Sequence, residues 1–384
     1  MKHGWPWRRL RLEVAMRRPA PSASARWRRT LILGVALATG ATAAAAAPRY
    51  SLVDFGALTQ AQAPVVRGPN SHGHAGGSGR LDGAGDAGGR RGLVFGGGPS
   101  AEQVEGLVGR EDAAIFSIND SGVFVGSANT DTAVRAFAGS RSGIRELPPL
   151  AGDSASVAFG INGQGEAVGF SSGAAGERAV VWDAGGRPSA LPPVAGAAGS
   201  RANDISRWGD VAGVAAGPAG RLPVLWARGQ LARALQLIPG DSTGEASAVN
   251  ARGEAVGYTA SAAGPVRHAA LWSATGEVTA LGALPGGESS EALGINDAGA
   301  VVGTAGSGAG PRAFLWTRAG GLQDLNALVP RSHVVLTKAV GINNAGAIVV
   351  LGEEAPPGGA AGGGGGHVAH ERPVRVFLLH PVPP

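Results

Sequence analysis

Four charged side chains recur at one place in this sequence. Arg201, Glu245, Glu291 and Lys338 each stand five residues before the Asn, or the Ser in its place, of a repeated Ile-Asn-x-x-Gly motif. The two preceding copies carry Ala114 and Val157 there, and the third copy adds Asn203 and Asp204 where the others are apolar or small. Carboxylates, a guanidinium, an ammonium and an amide gathered in one layer could hydrogen-bond a polar ligand, or move protons on one. The simpler use of the same charges is ion pairing between neighbouring copies, Arg201 with Glu245 and Glu291 with Lys338. Trp208, in the turn of the third copy, has no evident core to fill and is a candidate for stacking on a ligand.

Other chemistry is poorly supported. Gly169-Phe170-Ser171-Ser172-Gly173 and Gly240-Asp241-Ser242-Thr243-Gly244 match Gly-x-Ser-x-Gly, but a nucleophile elbow needs a strand-to-helix turn, and no helical periodicity accompanies either. His72-Gly73-His74 and His367-x-x-His370 lie in glycine-rich stretches without a third ligand at useful spacing, whereas a catalytic zinc wants three on a rigid frame. Asp82 and Asp86 lack the carboxylate density of a calcium loop. Cysteine is absent, which removes disulfides, thiolate metal sites and cysteine nucleophiles. No catalytic residue, metal ligand or cofactor site is assigned.

The elements that would position the charged set follow from the repeat. The Asn or its equivalent falls at Asn119, Asn162, Ser206, Asn250, Asn296 and Asn343, six copies stepped by 43 to 47 residues, which is the length of one supersecondary unit. Each copy reads as four short segments. An apolar segment meets the Asn-x-x-Gly turn, whose glycine supplies a positive φ and whose Asn can bond the turn backbone. An alternating segment follows, then an apolar run ending at Trp182, Trp226, Trp272 or Trp316, then Leu-x-x-Leu. The aligned tryptophans read as packing between units.

Short strands between Gly and Pro turns mean an all-β fold. The last copy lacks its fourth segment, and Phe55-Gly56-Ala57-Leu58 near the start matches Leu281-Gly282-Ala283-Leu284. A ring needs such a strand to close it and an open stack does not. The expectation is a six-bladed β-propeller of four-stranded blades, the sixth completed by residues 51–58, forming one domain over residues 48–384. Residues 62–110 read as a glycine-rich low-complexity insertion and residues 355–370 as a glycine-rich loop of the last blade.

The net charge of +5 belongs to one end. Residues 1–47 carry nine Lys or Arg against Glu13 alone, which leaves −3 for the remainder and no electrostatic reason to bind nucleic acid. An Arg-rich stretch, the apolar run from Leu31 to Gly40 and small residues at 43–47 read as a signal peptide, of the ordinary or twin-arginine kind. The expectation is an exported protein, periplasmic or extracellular, with no membrane anchor once the signal is removed.

The units resemble the bacterial HAF-repeat proteins. Gly294–Gly303 followed by Arg312-Ala313-Phe314-Leu315-Trp316 is the closest copy, and the resemblance covers residues 113–379 together with 50–58. Only His268 keeps the histidine of the family's name; Arg135, Arg178, Arg312 and Arg375 stand in its place elsewhere. The resemblance implies an exported repeat protein and lends no catalytic residues. The functional expectation is a non-catalytic binding or interaction module for an extracellular polymer or protein. Its candidate ligand residues are Arg201, Asn203, Asp204, Trp208, Glu245, Glu291 and Lys338. The alternatives are a lyase or hydrolase acting on a polymer at the channel mouth, and a structural surface protein.

Overall fold

The repeated Asn builds its own turn. In the second unit of the ring, the Asn119 Oδ1 accepts hydrogen bonds from the Ser121 and Val123 backbone N–H groups at 3.1 and 2.9 Å, and Gly122 follows at φ 78°. The same pair of bonds recurs at Asn162, Asn250 and Asn296, and Ser206 makes it with its hydroxyl to Trp208 and Asp210. Each turn ends an inner strand and starts the second strand of a blade.

The computed structural model describes residues 49–59, 65–81, 91–96, 98, 101–104, 113–140, 142–218, 220–261, 264–330, 333–355 and 373–382. The segment read as a signal peptide, Asp82 and Asp86, and the loop with His367 and His370 lie outside them. Among the described residues no helix is long and apolar enough to cross a membrane.

The protein is an all-β propeller of antiparallel four-stranded blades, and there are seven of them rather than six. Blades 2 to 6 are separate sheets beginning with inner strands Ala114–Ile118, Ala155–Ile161, Gly199–Ile205, Thr243–Val249 and Ser290–Ile295. Blade 7 holds Val334–Ile342, Ile348–Glu354 and Val374–Val382. Its outer strand is Arg49–Thr59, which pairs antiparallel with Val374–Val382 and places Leu52 opposite Leu379. The closing strand is therefore as expected, and slightly longer.

The correction concerns residues 62–110. Most of that stretch is not an insertion but blade 1, made of Val65–Arg67, Ala75–Leu81, Arg91–Phe95 and Glu102–Gln103. Its turn is Asn70-Ser71-His72-Gly73, where Asn70 Oδ1 takes the N–H groups of His72 and His74. The second strand contributes glycine because there is no room for more. A Cβ on Gly76 would sit 2.4 Å from Ile115 Cγ2, and one on Gly77 would sit 2.7 Å from the Val65 carbonyl. Its neighbours supply the apolar volume: Leu93 and Phe95 are fully buried in one cluster with Val349, Val376 and Phe55.

Two devices lock blade to blade. Trp182, Trp226 and Trp272 are buried to within 2 % and donate from Nε1 to the carbonyls of Pro148, Pro192 and Gln236 in the preceding blade, at 2.6–2.8 Å. Packing is thus the role of the tryptophan column. The second device is a relay of Asn amides: Asn343 donates to the Asn70 carbonyl, Asn70 to that of Asn119, and Asn119 to that of Asn162. On the other side Asn250 donates to Asn296 and Asn296 to Asn343. The relay stops at blade 4, where Ser206 has no amide, and Asn162 turns instead to Glu166 at 2.8 Å.

Candidate functional site

The inner strands bend in a way that aims side chains at the axis. In blades 2 to 7 the pairing of inner and second strands skips the residue three before the Asn (blade 7 skipping Thr337 as well): Phe116, Phe159, Asn203, Ser247, Leu293 and Val340. A bulge of this kind re-aims the extra side chain. These residues, with Arg67 at the same place in blade 1, line an axial cavity of about 160 Å3.

One step further, two before the Asn, stand Gly68, Ser117, Gly160, Asp204, Ala248, Gly294 and Gly341. This is the waist of the ring. A Cβ on Gly341 would lie 1.5 Å from the Gly68 carbonyl oxygen, and one on Gly294 would lie 2.9 Å from the Gly341 Cα. Small residues there are a condition of closure. Asp204 is the one charged member of that column, and Arg67 the one charged member of the other.

Asp204 and Arg67 define the electrostatics of the channel. The Asp204 Oδ2 accepts the Val249 N–H at 3.0 Å. Burial pushes its carboxyl up to about 6, against the Val249 and Ile205 N–H groups and the charge of Arg67, which hold it down. Burial likewise pulls the Arg67 guanidinium below its ordinary value, against Asp204, Glu245 and Glu291, whose charges raise it. Both groups are half-buried, keeping some accessible surface on the channel while packed protein surrounds the rest. Among the described residues, no hydrogen bond or ion pair within 4.0 Å engages the Arg67 guanidinium, although it carries five donors.

The charged column five before the Asn pairs differently from expectation. Arg201 meets Glu177 at 2.8 Å, Glu245 meets Arg221 at 2.7 Å and Glu291 meets Arg267 at 2.7 Å. Arg201 does not pair with Glu245, nor Glu291 with Lys338. The reason is geometric: each inner strand packs against the third strand of the preceding blade, which carries Glu177, Arg221 or Arg267. Lys338 is half-buried and forms no ion pair among the described residues. The Arg201 guanidinium also lies over Phe170 and Phe159, 4.8 and 5.7 Å from the ring centroids, as Arg267 lies over Tyr258 at 4.2 Å. Asn203 is buried and fully used, donating to Glu245 Oε1 at 2.8 Å and to the Ala246 carbonyl at 2.9 Å.

Arg201, Asn203, Asp204, Glu245 and Glu291 are therefore brought to the channel and its strand-start mouth. Trp208 is not. It stands beyond the other end of the inner strand, about 16 Å from the Arg201 layer at ~3.3 Å per residue, and is 57 % exposed beneath the Arg207 guanidinium. From that turn Arg207 reaches past blade 5 to Asp297 of blade 6, at 3.3 Å. Sequence reasoning missed Arg67, which sits three before Asn70. The signal was present, since Asn70-Ser71-His72-Gly73 is a seventh copy of the turn.

The remaining motifs have structural work. Ser171, within the first Gly-x-Ser-x-Gly, is buried in a strand, donates to Asp153 Oδ2 at 2.6 Å and accepts from the Leu150 N–H. Burial alone would raise the Asp153 carboxyl, but Ser171 and Arg178 hold it below the ordinary value. The His/Arg column pairs with acids: Arg178 with Asp153 at 2.8 Å, His268 with Asp241 at 2.9 Å and Arg375 with Asp54 at 2.6 Å. His72 and His74 lie beside a cleft of about 830 Å3 between blades 1 and 2, and among the described residues no three potential ligands cluster as a metal would need.

No protein-family model matches the chain, and no curated protein sequence does. Solved structures match the fold. A streptogramin B lyase aligns with a TM-score of 0.51 at 10 % identity, over 86 % of this chain and 98 % of that one. The β-propeller domain of the trilobed protease from Pyrococcus furiosus, described as having an open velcro topology, aligns with a TM-score of 0.50 at 10 % identity, over 84 % and 94 %. TolB from Acinetobacter baumannii aligns with a TM-score of 0.43 at 13 % identity, over 61 % of this chain and only 58 % of TolB. At such identities the likeness concerns the fold, a β-propeller, and leaves activity to the residues of this chain.

Proposed function

We propose that this protein is an exported binding module of the HAF-repeat kind that holds part of an extracellular polymer or protein in the strand-start mouth of its channel. One observation carries the reading. Arg67 and Asp204 are charged in columns that are otherwise uncharged, and Arg67 keeps its donors free of protein partners among the described residues. A guanidinium that faces a cavity without a protein acceptor is available to donate to a ligand there. Arg201, Glu245 and Glu291 frame the mouth in inter-blade pairs, so their part is to hold its shape. Export rests on the Arg-rich and apolar residues 1–47, and a net charge of −3 beyond them argues for no nucleic-acid partner.

A polymer-acting lyase or hydrolase is the second reading, favoured by the Asp204 carboxyl at about 6, where a general base works near neutral pH. Thermal-shift screening of the full chain and of Arg67→Met against small polar molecules and glycan fragments tests the proposal. Compounds that raise the wild-type melting temperature but leave Arg67→Met unmoved support the channel site. Compounds that shift both proteins equally overturn it. Turnover of such a compound by wild type and not by Asp204→Asn would replace binding with catalysis.

A further inference from the structure

The channel also limits what kind of molecule it can take, given that the site just proposed is the right one. Its size is the first constraint. A cavity of about 160 Å3 compares with the ~150 Å3 that holds a benzene ring, so one six-membered ring fits the waist and anything larger must extend out of the mouth.

Charge is the second constraint. Every acid that acts on Arg67 already has a partner or a cage: Glu245 has Arg221, Glu291 has Arg267, and Asp204 has backbone N–H groups. At the mouth Arg201, Glu245 and Glu291 are each matched by an opposite charge on the preceding blade. An anionic ligand drawn to Arg67 would sit beside Asp204, and a cationic one drawn to Asp204 would sit beside Arg67. Placing a like charge beside either group weakens binding. A ligand without net charge escapes both penalties.

The third constraint is the lining itself. Blades 2 and 3 present Phe116 and Phe159, half-buried, with ring centroids 5.1 Å apart and tilted by 60°. The same cavity is lined by Arg67 and Asp204, on the blades that flank these two, and by Ser247. An aromatic face beside donors and acceptors suits a ring that is apolar on its faces and hydroxylated at its edge.

We propose that the channel binds one ring of a neutral saccharide, its C–H face on Phe116 and its hydroxyls on Arg67 and Asp204. The ring is either a free hexose or the terminal unit of a glycan, and both present the same chemistry.

Titration calorimetry and saturation-transfer NMR on the full chain decide the matter. The neutral probes are D-glucose, D-galactose, D-mannose, N-acetyl-D-glucosamine, maltotriose and chitotriose; cyclohexanecarboxylate and cyclohexylammonium serve as charged rings of the same size. At least one neutral sugar should bind wild type and bind Arg67→Met and Asp204→Asn at least about tenfold more weakly, as loss of a buried charge-assisted hydrogen bond implies. Far-UV circular dichroism and melting curves check that both variants fold, and Trp208→Ala should bind as wild type does. A trisaccharide that binds more tightly than its monosaccharide identifies a glycan end as the source, and equal affinities identify a free sugar. Binding of cyclohexanecarboxylate alone, abolished by Arg67→Met, would overturn the saccharide and leave the channel site standing. A sugar that binds Arg67→Met as well as wild type would overturn both. If no neutral sugar binds, the saccharide assignment fails by itself.

Discussion

Blades 6 and 4 follow the same plan and differ where the plan meets the axis. Blade 6 has Leu293 at the bulge, Gly294 at the waist and Asn296 handing its amide to blade 7. Blade 4 has Asn203 at the bulge, Asp204 at the waist and Ser206 in place of the relay Asn. The turn itself survives in both, because the Ser206 hydroxyl accepts the same two N–H groups that Asn296 Oδ1 accepts. Blade 4 gives up the amide relay and is tied to blade 5 instead by Asn203 and Asp204, whose bonds to Glu245, Ala246 and Val249 bring polarity to the axis. Repetition here reports architecture, and departure from it marks the place where something other than architecture was selected.

The comparison can be broken most severely at the waist. Gly341→Ala would drive a Cβ into the Gly68 carbonyl, so the variant should lose ~4 kcal/mol or more and show no cooperative melting transition. A folded Gly341→Ala protein would mean that the ring is wider than described. Next comes the tryptophan column. Trp272→Ala removes a fully buried indole and its bond to Gln236, with an expected loss of ~3–5 kcal/mol in urea unfolding.

Asp204 sharpens the contrast through pH. Its folded-state pKa is raised from 3.8 to about 6, so the folded protein holds this proton more tightly than the unfolded chain does. Stability from this group is therefore full below the unfolded value and declines as pH rises through about 6. Asp204→Asn should flatten that decline and raise stability at pH 8 by at most ~3 kcal/mol. A wild-type curve that does not fall between those pH values would show Asp204 to be better solvated than the geometry implies.

Smaller effects test the relay. Ser206→Asn restores the missing amide, and one new inter-blade bond should add ~0.5–1.5 kcal/mol. If the variant gains nothing, the interruption reflects the geometry of blade 4 and not merely its side chain. Trp208→Ala should change stability by no more than ~0.5 kcal/mol, as befits an exposed side chain away from any packed cluster.

The sequence made some of this plain and concealed the rest, for reasons that differ by residue. The Asn-x-x-Gly turns, the tryptophan packing and the closing strand are legible because each shows as a pattern of side chains recurring at a fixed place in most copies. Blade 1 was hidden because its strand Ala75–Leu81 borrows its core from others: Ile115 and Phe95 fill the space that its own side chains would occupy elsewhere. Arg67 was lost with it. The ion pairs were mispaired because linear spacing names the column and not the neighbour, and the neighbour proved to be the third strand of the preceding blade. Asp204 stands out in the sequence as the odd residue of its column, whereas Trp208, grouped there with the same candidate set, lies in the turn beyond the strand, at the opposite end from Arg201.

The pairing of Arg49 with Val382 has a mechanical consequence. The chain enters and leaves blade 7 side by side, on adjacent antiparallel strands, so a load applied across these two points would pull the strands apart from one end. Bonds would then break one pair after another in an unzipping geometry instead of sharing the force in shear. The seam would open from Arg49 toward Thr59 at low force, and the other six blades would come under tension only after it had parted.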